Sequence, residues 1–145
     1  MRVKLRGSVE GKILAHVFMD PEMEVMGTLY GTRTNDLLEI IESLSPEQLE
    51  SRPNKCEPNY VDMTKKLDEL NRNYNGNLLP LGWYHNHPGH GLFMSQDDIK
   101  VHETYPPNTV AMVIDTKFTG SPIYKFFTIE NGTVKKIPYE IDYLW

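Results

Sequence analysis

Two periods organise the apolar residues of this chain. From Asn59 to Tyr74, the residues Tyr60, Met63, Leu67, Leu70 and Tyr74 recur at alternating three- and four-residue spacing, while Lys, Asp, Glu and Arg fill the opposite face. That spacing predicts an amphipathic helix, which Asn75-Gly76 then stops. Shorter apolar runs, at Val25 to Tyr30, Leu79 to His85, Val110 to Asp115, Ile123 to Ile129 and Val134 to Tyr139, predict strands. The last two are joined by a turn at Glu130-Asn131-Gly132. Lys12 to Asp20 predicts a modest helix ending before Pro21, and Ser95 to about Glu103 a short one.

Two segments are less clear. Leu37, Ile40, Ile41 and Leu44 have helical spacing, although the turn-rich stretch Thr32 to Asp36 would equally start a strand. Ser45-Pro46-Glu47-Gln48 has a capping-box pattern with Pro at the first helical position, but Arg52 to Pro58 must be irregular. A long, mobile loop is expected over residues 45–59. Strands mixed with a few helices indicate an α/β or α+β fold, a mixed central sheet flanked by helices.

Length and composition narrow the classes. The 145 residues fit one domain, 1–145, with no repeat or low-complexity tract, and a domain of this size buries about 70% of its unfolded surface without staples. A net charge of -5, with 39% hydrophobic and 24% charged residues, argues against a nucleic-acid-binding face. The N-terminal Met1 to Arg6 interleaves charges with apolar residues, and no apolar run reaches membrane-spanning length. The expectation is a cytoplasmic protein with no membrane partner. Cys56 is the sole cysteine, so neither an internal disulfide nor a Cys-rich structural zinc site can be built.

Candidate chemistry sits in Trp83-Tyr84-His85-Asn86-His87-Pro88 and in Ser95-Gln96-Asp97-Asp98. In an extended segment His85 and His87 project from one face while Asn86 points away. A carboxylate from Asp98 would complete three protein ligands and leave the fourth tetrahedral position to water, the pattern of catalytic zinc. Ser95 and Asp98, at i and i+3, share a helix face, so Ser95 can donate to an oxyanion. Glu24 precedes an apolar strand in Glu24-Val25-Met26-Gly27, where Gly27 permits close backbone approach, and suits general acid/base work. Taken singly, each has a plainer reading. His-x-His arises by chance, Ser-x-x-Asp is also a helix cap, and Glu24 is a surface acid.

Together, these residues resemble a known family. Glu24 with Met26-Gly27, then Gly82-Trp83-Tyr84-His85-Asn86-His87-Pro88-Gly89, six residues from Pro88 to Ser95 and two from Ser95 to Asp98, are similar to the JAMM (MPN-plus) metalloproteases. The likeness is greatest to the branch of the proteasome-lid deubiquitinase and its archaeal relatives. It runs from about Ile13 to Ile129. It implies a single MPN/JAMM domain with one Zn²⁺ per chain, held by His85, His87, Asp98 and water. Glu24 would be the general acid/base, Ser95 the oxyanion donor, and Leu37 to Leu44 a strand. The implied reaction is hydrolysis after the C-terminal Gly-Gly of ubiquitin or a ubiquitin-like protein.

Alternatives are a JAMM peptidase acting on a sulfur-carrier or other small-protein tail, or a non-catalytic MPN scaffold. A homodimer or a larger complex is left open, whereas obligate pairing in a lid-like heterodimer is not expected. His90 stands where close relatives are often aromatic, and Leu92-Phe93-Met94 forms an apolar lip; either bears on substrate choice. His16 and His102 read as ordinary helix residues, and Asp97 as an acid favoured by the helix dipole.

Overall fold

In the computed structural model, which describes residues 1–117 and 120–144, the chain runs β1 (Arg2–Arg6), α1 (Gly7–Met19), β2 (Met26–Thr34), β3 (Leu37–Leu44), β4 (Gln48–Arg52) and β5 (Lys55–Pro58). It continues through α2 (Tyr60–Asn73), β6 (Leu79–Asn86), α3 (Gln96–His102), β7 (Val110–Ile114), β8 (Tyr124–Glu130), β9 (Thr133–Ile137) and β10 (Tyr139–Asp142). Eight strands form one mixed sheet in the order β10-β1-β3-β2-β6-β7-β8-β9, while β4 and β5 pair as a separate hairpin. This is the α+β class expected, a mixed sheet with helices packed around it.

β6 lies near the middle because every residue from Leu81 to its end is buried, as a strand covered on both faces requires. It pairs antiparallel with β2, Met26 opposite His85, and parallel with β7, Val113 opposite His85. Parallel neighbours need a crossover, and the crossover here carries α3 back past the end of β6. Alternation along β6 divides the core. Tyr84 belongs to the cluster that includes Val9, Ile13 and Val17 of α1; Trp83 belongs to one with Met26, Met94 and Val113. Burying each of those α1 side chains contributes roughly 1.5–3 kcal/mol. Tyr84 lies so close to β2 that a Cβ on Gly27 would fall 2.2 Å from its ring, the close approach expected at that glycine.

The long helix forms as expected. Asn59 caps it by accepting from the amides of Val61 and Asp62, both at 3.1 Å. Its apolar stripe, Leu67, Leu70 and Tyr74, packs against Tyr30, Leu44 and Leu78. The turn between β8 and β9 places both Asn131 (φ 51°) and Gly132 (φ 76°) in the left-handed region, the backbone of a two-residue hairpin.

Leu37–Leu44 is a strand, β3, as the resemblance implies, and a bulge explains its helical spacing. Tyr30 pairs with Glu42 but Gly31 with Ile40, so Ile41 is the extra residue and the two-residue alternation breaks there. Two expectations need correction, for residues 45–58 and for the start of α1. Ser45-Pro46-Glu47-Gln48 starts no helix: Gln48 opens β4, and residues 48–58 form the β4–β5 hairpin rather than an irregular loop. α1 begins at Gly7, ahead of the expected start at Lys12, because Val9 extends the buried stripe of Ile13 and Val17 by one turn.

Candidate metal centre

β6 ends at the cleft with two imidazoles on one face. His85 and His87 are both buried, and their Nε2 atoms lie 2.9 Å apart. α3 supplies the third group. Its first turn is a capping box, in which Ser95 Oγ accepts from the Asp98 amide at 3.1 Å and Asp98 Oδ2 accepts from the Ser95 amide at 2.9 Å. That box holds the Asp98 carboxylate against the histidines, Oδ1 3.0 Å from His85 Nε2 and Oδ2 3.0 Å from His87 Nε2. The interaction with the two imidazoles holds the Asp98 carboxyl far below the usual carboxylate range, against the opposing effect of burial.

These three residues fit a cation. The Nδ1–H of His87 donates to the Gly91 carbonyl at 3.1 Å, so loss of the Nε2 proton would leave a lone pair there for an ion. Three lone-pair-bearing atoms converging in a buried site repel one another unless a proton or a cation sits between them. The two Nε2 atoms lie 2.9 Å apart and each is 3.0 Å from a different Asp98 oxygen, slightly under the edge of about 3.3 Å that zinc–nitrogen bonds of about 2.0–2.1 Å require of a tetrahedron. No other group of three or more His, Cys, Asp or Glu among the described residues has this convergence.

His85 is oriented by stacking. Its Nδ1 is buried without a hydrogen-bond partner among the described residues, and its ring lies 4.6 Å from Trp83 at 19° between planes. Trp83 is fixed in turn by His102, whose Nδ1 accepts from Trp83 Nε1–H at 3.0 Å. An indole N–H only donates, so His102 is neutral at that nitrogen, and burial lowers its pKa accordingly. His102 is therefore a buried support for the metal strand rather than an ordinary helix residue. His16 differs from expectation too: its Nδ1 lies 2.6 Å from the Tyr84 hydroxyl, which also meets Ser45 Oγ at 2.9 Å. Neither partnership has a signal in local sequence, because each spans many residues and joins separate elements.

Glu24 reaches the same cleft by another route. It lies in the irregular segment between α1 and β2, and the β4–β5 hairpin grips its backbone. The Glu24 amide donates to the Arg52 carbonyl at 2.7 Å, and its carbonyl accepts from Ser51 Oγ at 2.9 Å. Its side chain lines a cleft of about 380 Å³ together with His85, Asp98, Asp97, Cys56 and Trp83. Burial pushes the Glu24 carboxyl up to about 7, opposed by attraction to His87 and helped by repulsion from Asp98. The Cys56 thiol approaches Oε1 at 3.8 Å and is itself raised by burial and by Glu24.

Ser95 is the N-cap of α3, so the plainer reading of Ser-x-x-Asp holds. Its oxygen accepts in the cap, which leaves the hydroxyl proton free of that bond. Asp97 lies in the first turn of α3, as expected, and also lines the cleft. His90 is exposed, its ring 6.2 Å from that of His87, and Phe93, 47% exposed, comes within 5.2 Å of the same ring. Residue patterns missed Asp115. Its two oxygens accept from the amides of Gly89, Gly91 and Lys117 at 2.9–3.0 Å, and so hold the loop whose carbonyl orients His87.

A mixed α+β sheet that brings a His-x-His strand against a Ser-x-x-Asp helix is the architecture of an MPN domain with a His-His-Asp metal site. Residues 1–108 match the family described as JAB1/Mov34/MPN/PAD-1 ubiquitin protease, and the chain belongs to that family. COP9 signalosome complex subunit 5 of Kluyveromyces lactis is 32% identical over 132 residues, covering 88% of this chain and 34% of that protein. NAD(+) hydrolase TcpA of a Theionarchaea archaeon is 30% identical over 144 residues, covering 90% and 41%. AMSH-like protease of Homo sapiens is 29% identical over 106 residues, covering 71% and 23%. The chain thus spans less than half the length of each of these relatives. No helix among the described residues is long and apolar enough to cross a membrane.

Proposed function

We propose that the chain is a zinc-dependent peptidase that hydrolyses the bond after the C-terminal Gly-Gly of ubiquitin or a ubiquitin-like protein. One observation carries the reading: Glu24, with its raised carboxyl, lines the same cleft as the converging His85 and Asp98. His85 Nε2, His87 Nε2 and an Asp98 oxygen would hold one ion per chain. A zinc ion held by such a set supplies Lewis acidity and brings the pKa of a coordinated water down to about 7.

The remaining work falls to the protein. Glu24 takes a proton from the attacking water at its carboxylate and returns it to the leaving amine, work suited to a carboxylate that lines the cleft beside the ligands. Ser95 Oγ–H donates to the oxyanion of the tetrahedral intermediate. The exposed ring of Phe93 and the apolar lip beside it exclude water from the scissile bond. Ubiquitin-like conjugates are the proposed partners, in the cytoplasm; membership of a family described as ubiquitin protease supports the substrate class.

The test is a panel of ubiquitin, ubiquitin-like and sulfur-carrier fusions incubated with zinc-supplemented protein. Cleavage after Gly-Gly that stops with chelator and returns with zinc is the expected result. Cleavage of sulfur-carrier fusions alone would move the substrate class, and no cleavage with no stoichiometric zinc would make the chain a scaffold.

A further inference from the structure

We propose that Asn86, the residue between the two histidines, is a positioning residue for Glu24. The inference rests on the reading of Glu24 as the proton carrier. Residues 20–25 belong to no helix or strand, so no backbone pattern of their own sets where Glu24 points. The hairpin grips Glu24 itself, and Asn86 grips the residues on either side of it. Asn86 Oδ1 accepts from the Val25 amide at 2.8 Å, and Nδ2 donates to the Met23 carbonyl at 2.8 Å. The carboxamide thereby bridges one residue before Glu24 to one residue after it, as a neighbouring strand would.

The carboxamide's own orientation is determined. Its Nδ2 also donates to Thr116 Oγ1 at 3.2 Å, and that hydroxyl gives its proton to the Pro21 carbonyl at 2.7 Å. Rotating the amide by half a turn would set an N–H against the Val25 N–H and an oxygen against the Met23 carbonyl. Asn86 is wholly buried, so no water can make up for either loss. No close substitute does the same job. Aspartate cannot donate to Met23, leucine does neither, and serine is too short to reach both groups.

Strand alternation gives the arrangement its consequence. Two faces of one pleat carry the ligand pair and the clamp, so β6 sets the height of Glu24 relative to the atoms that hold the ion. A shift of one residue in the register of β6 would lose ligands and clamp together. The position of Glu24 is thus tied to the metal strand as well as to the hairpin.

The test compares Asn86→Ala and Thr116→Val with wild type in zinc-supplemented protein. Amide exchange by NMR should speed by about tenfold or more at Val25 in Asn86→Ala and by less in Thr116→Val, with Leu29 of β2 unchanged. Zinc affinity, by chelator competition, should stay within about threefold of wild type. On the conjugate that wild type cleaves, kcat should fall by about 10²-fold with KM little changed, the scale expected of a misplaced catalytic group. Unchanged exchange at Val25 would overturn the proposal. So would unchanged kcat. If wild type cleaves no conjugate, the functional reading falls, and the exchange rates still decide: faster exchange confined to residues 23–25 supports the clamp, and unchanged exchange refutes it.

Discussion

Two residues of the metal triad, His85 and Asp98, line one cleft with Glu24, but the triad and Glu24 are built in opposite ways. His85, His87 and Asp98 sit on a strand and a helix, where strand alternation and a capping box aim each group locally. Glu24 sits on irregular backbone, and its position is borrowed from two other places: the hairpin through Arg52 and Ser51, and the metal strand through Asn86. The difference teaches that metal affinity and catalytic power are separable in this fold. On the proposed function, damage to β6 or α3 would remove the ion, whereas damage to the clamps would leave the ion in place beside a misaimed base.

The largest effect should come from Asp98→Asn. Its amide oxygen can still accept from Ser95, so α3 and the fold should survive, but the anionic ligand is gone; metal analysis should find no stoichiometric zinc, and hydrolysis should be undetectable. Full occupancy would show that the two histidines suffice. Ser95→Ala should come next. Turnover should drop by about 10²–10³-fold with zinc retained, and loss of the cap should cost about 1 kcal/mol in a denaturant melt. Wild-type turnover in that variant would reduce Ser95 to its capping role.

The smallest effect is on stability and has a defined sign. In chelated protein the Glu24 carboxyl is raised from 4.5 to about 7, chiefly by burial. Between those values the folded state keeps a proton that the unfolded chain has released, so stability is lost as pH rises from 4.5 to 7. Above pH 7 the cost of the buried carboxylate is complete; below 4.5 it is absent. Glu24→Gln removes it and should stabilise chelated protein at pH 8 by about 1 kcal/mol, allowing for partial exposure, with no gain at pH 4. An equal gain at both values would assign the effect to packing.

The same division explains what the sequence could reveal. His85, His87, Ser95 and Asp98 lie within one short stretch, and two local periodicities place them, so that half of the site was legible from spacing. The long helix and the Asn131-Gly132 turn were legible for the same reason. β3 was obscured by its bulge at Ile41, which turned alternation into a helical pattern. The β4–β5 hairpin carries few apolar residues and two prolines, and its purpose lies in hydrogen bonds to Glu24 that no local pattern encodes. His102, Asp115 and Asn86 were passed over because each acts on a distant backbone group or ring. β1 was the avoidable miss, since Val3 and Leu5 alternate with charged residues and both are buried.

The most direct test of the account is Glu24→Gln, assayed for zinc content and for hydrolysis in the same preparation. One zinc per chain with hydrolysis lowered to near background is the predicted result, because the ligands are intact and the proton carrier is removed. Wild-type hydrolysis in zinc-loaded Glu24→Gln would contradict it and take Glu24 out of the chemistry.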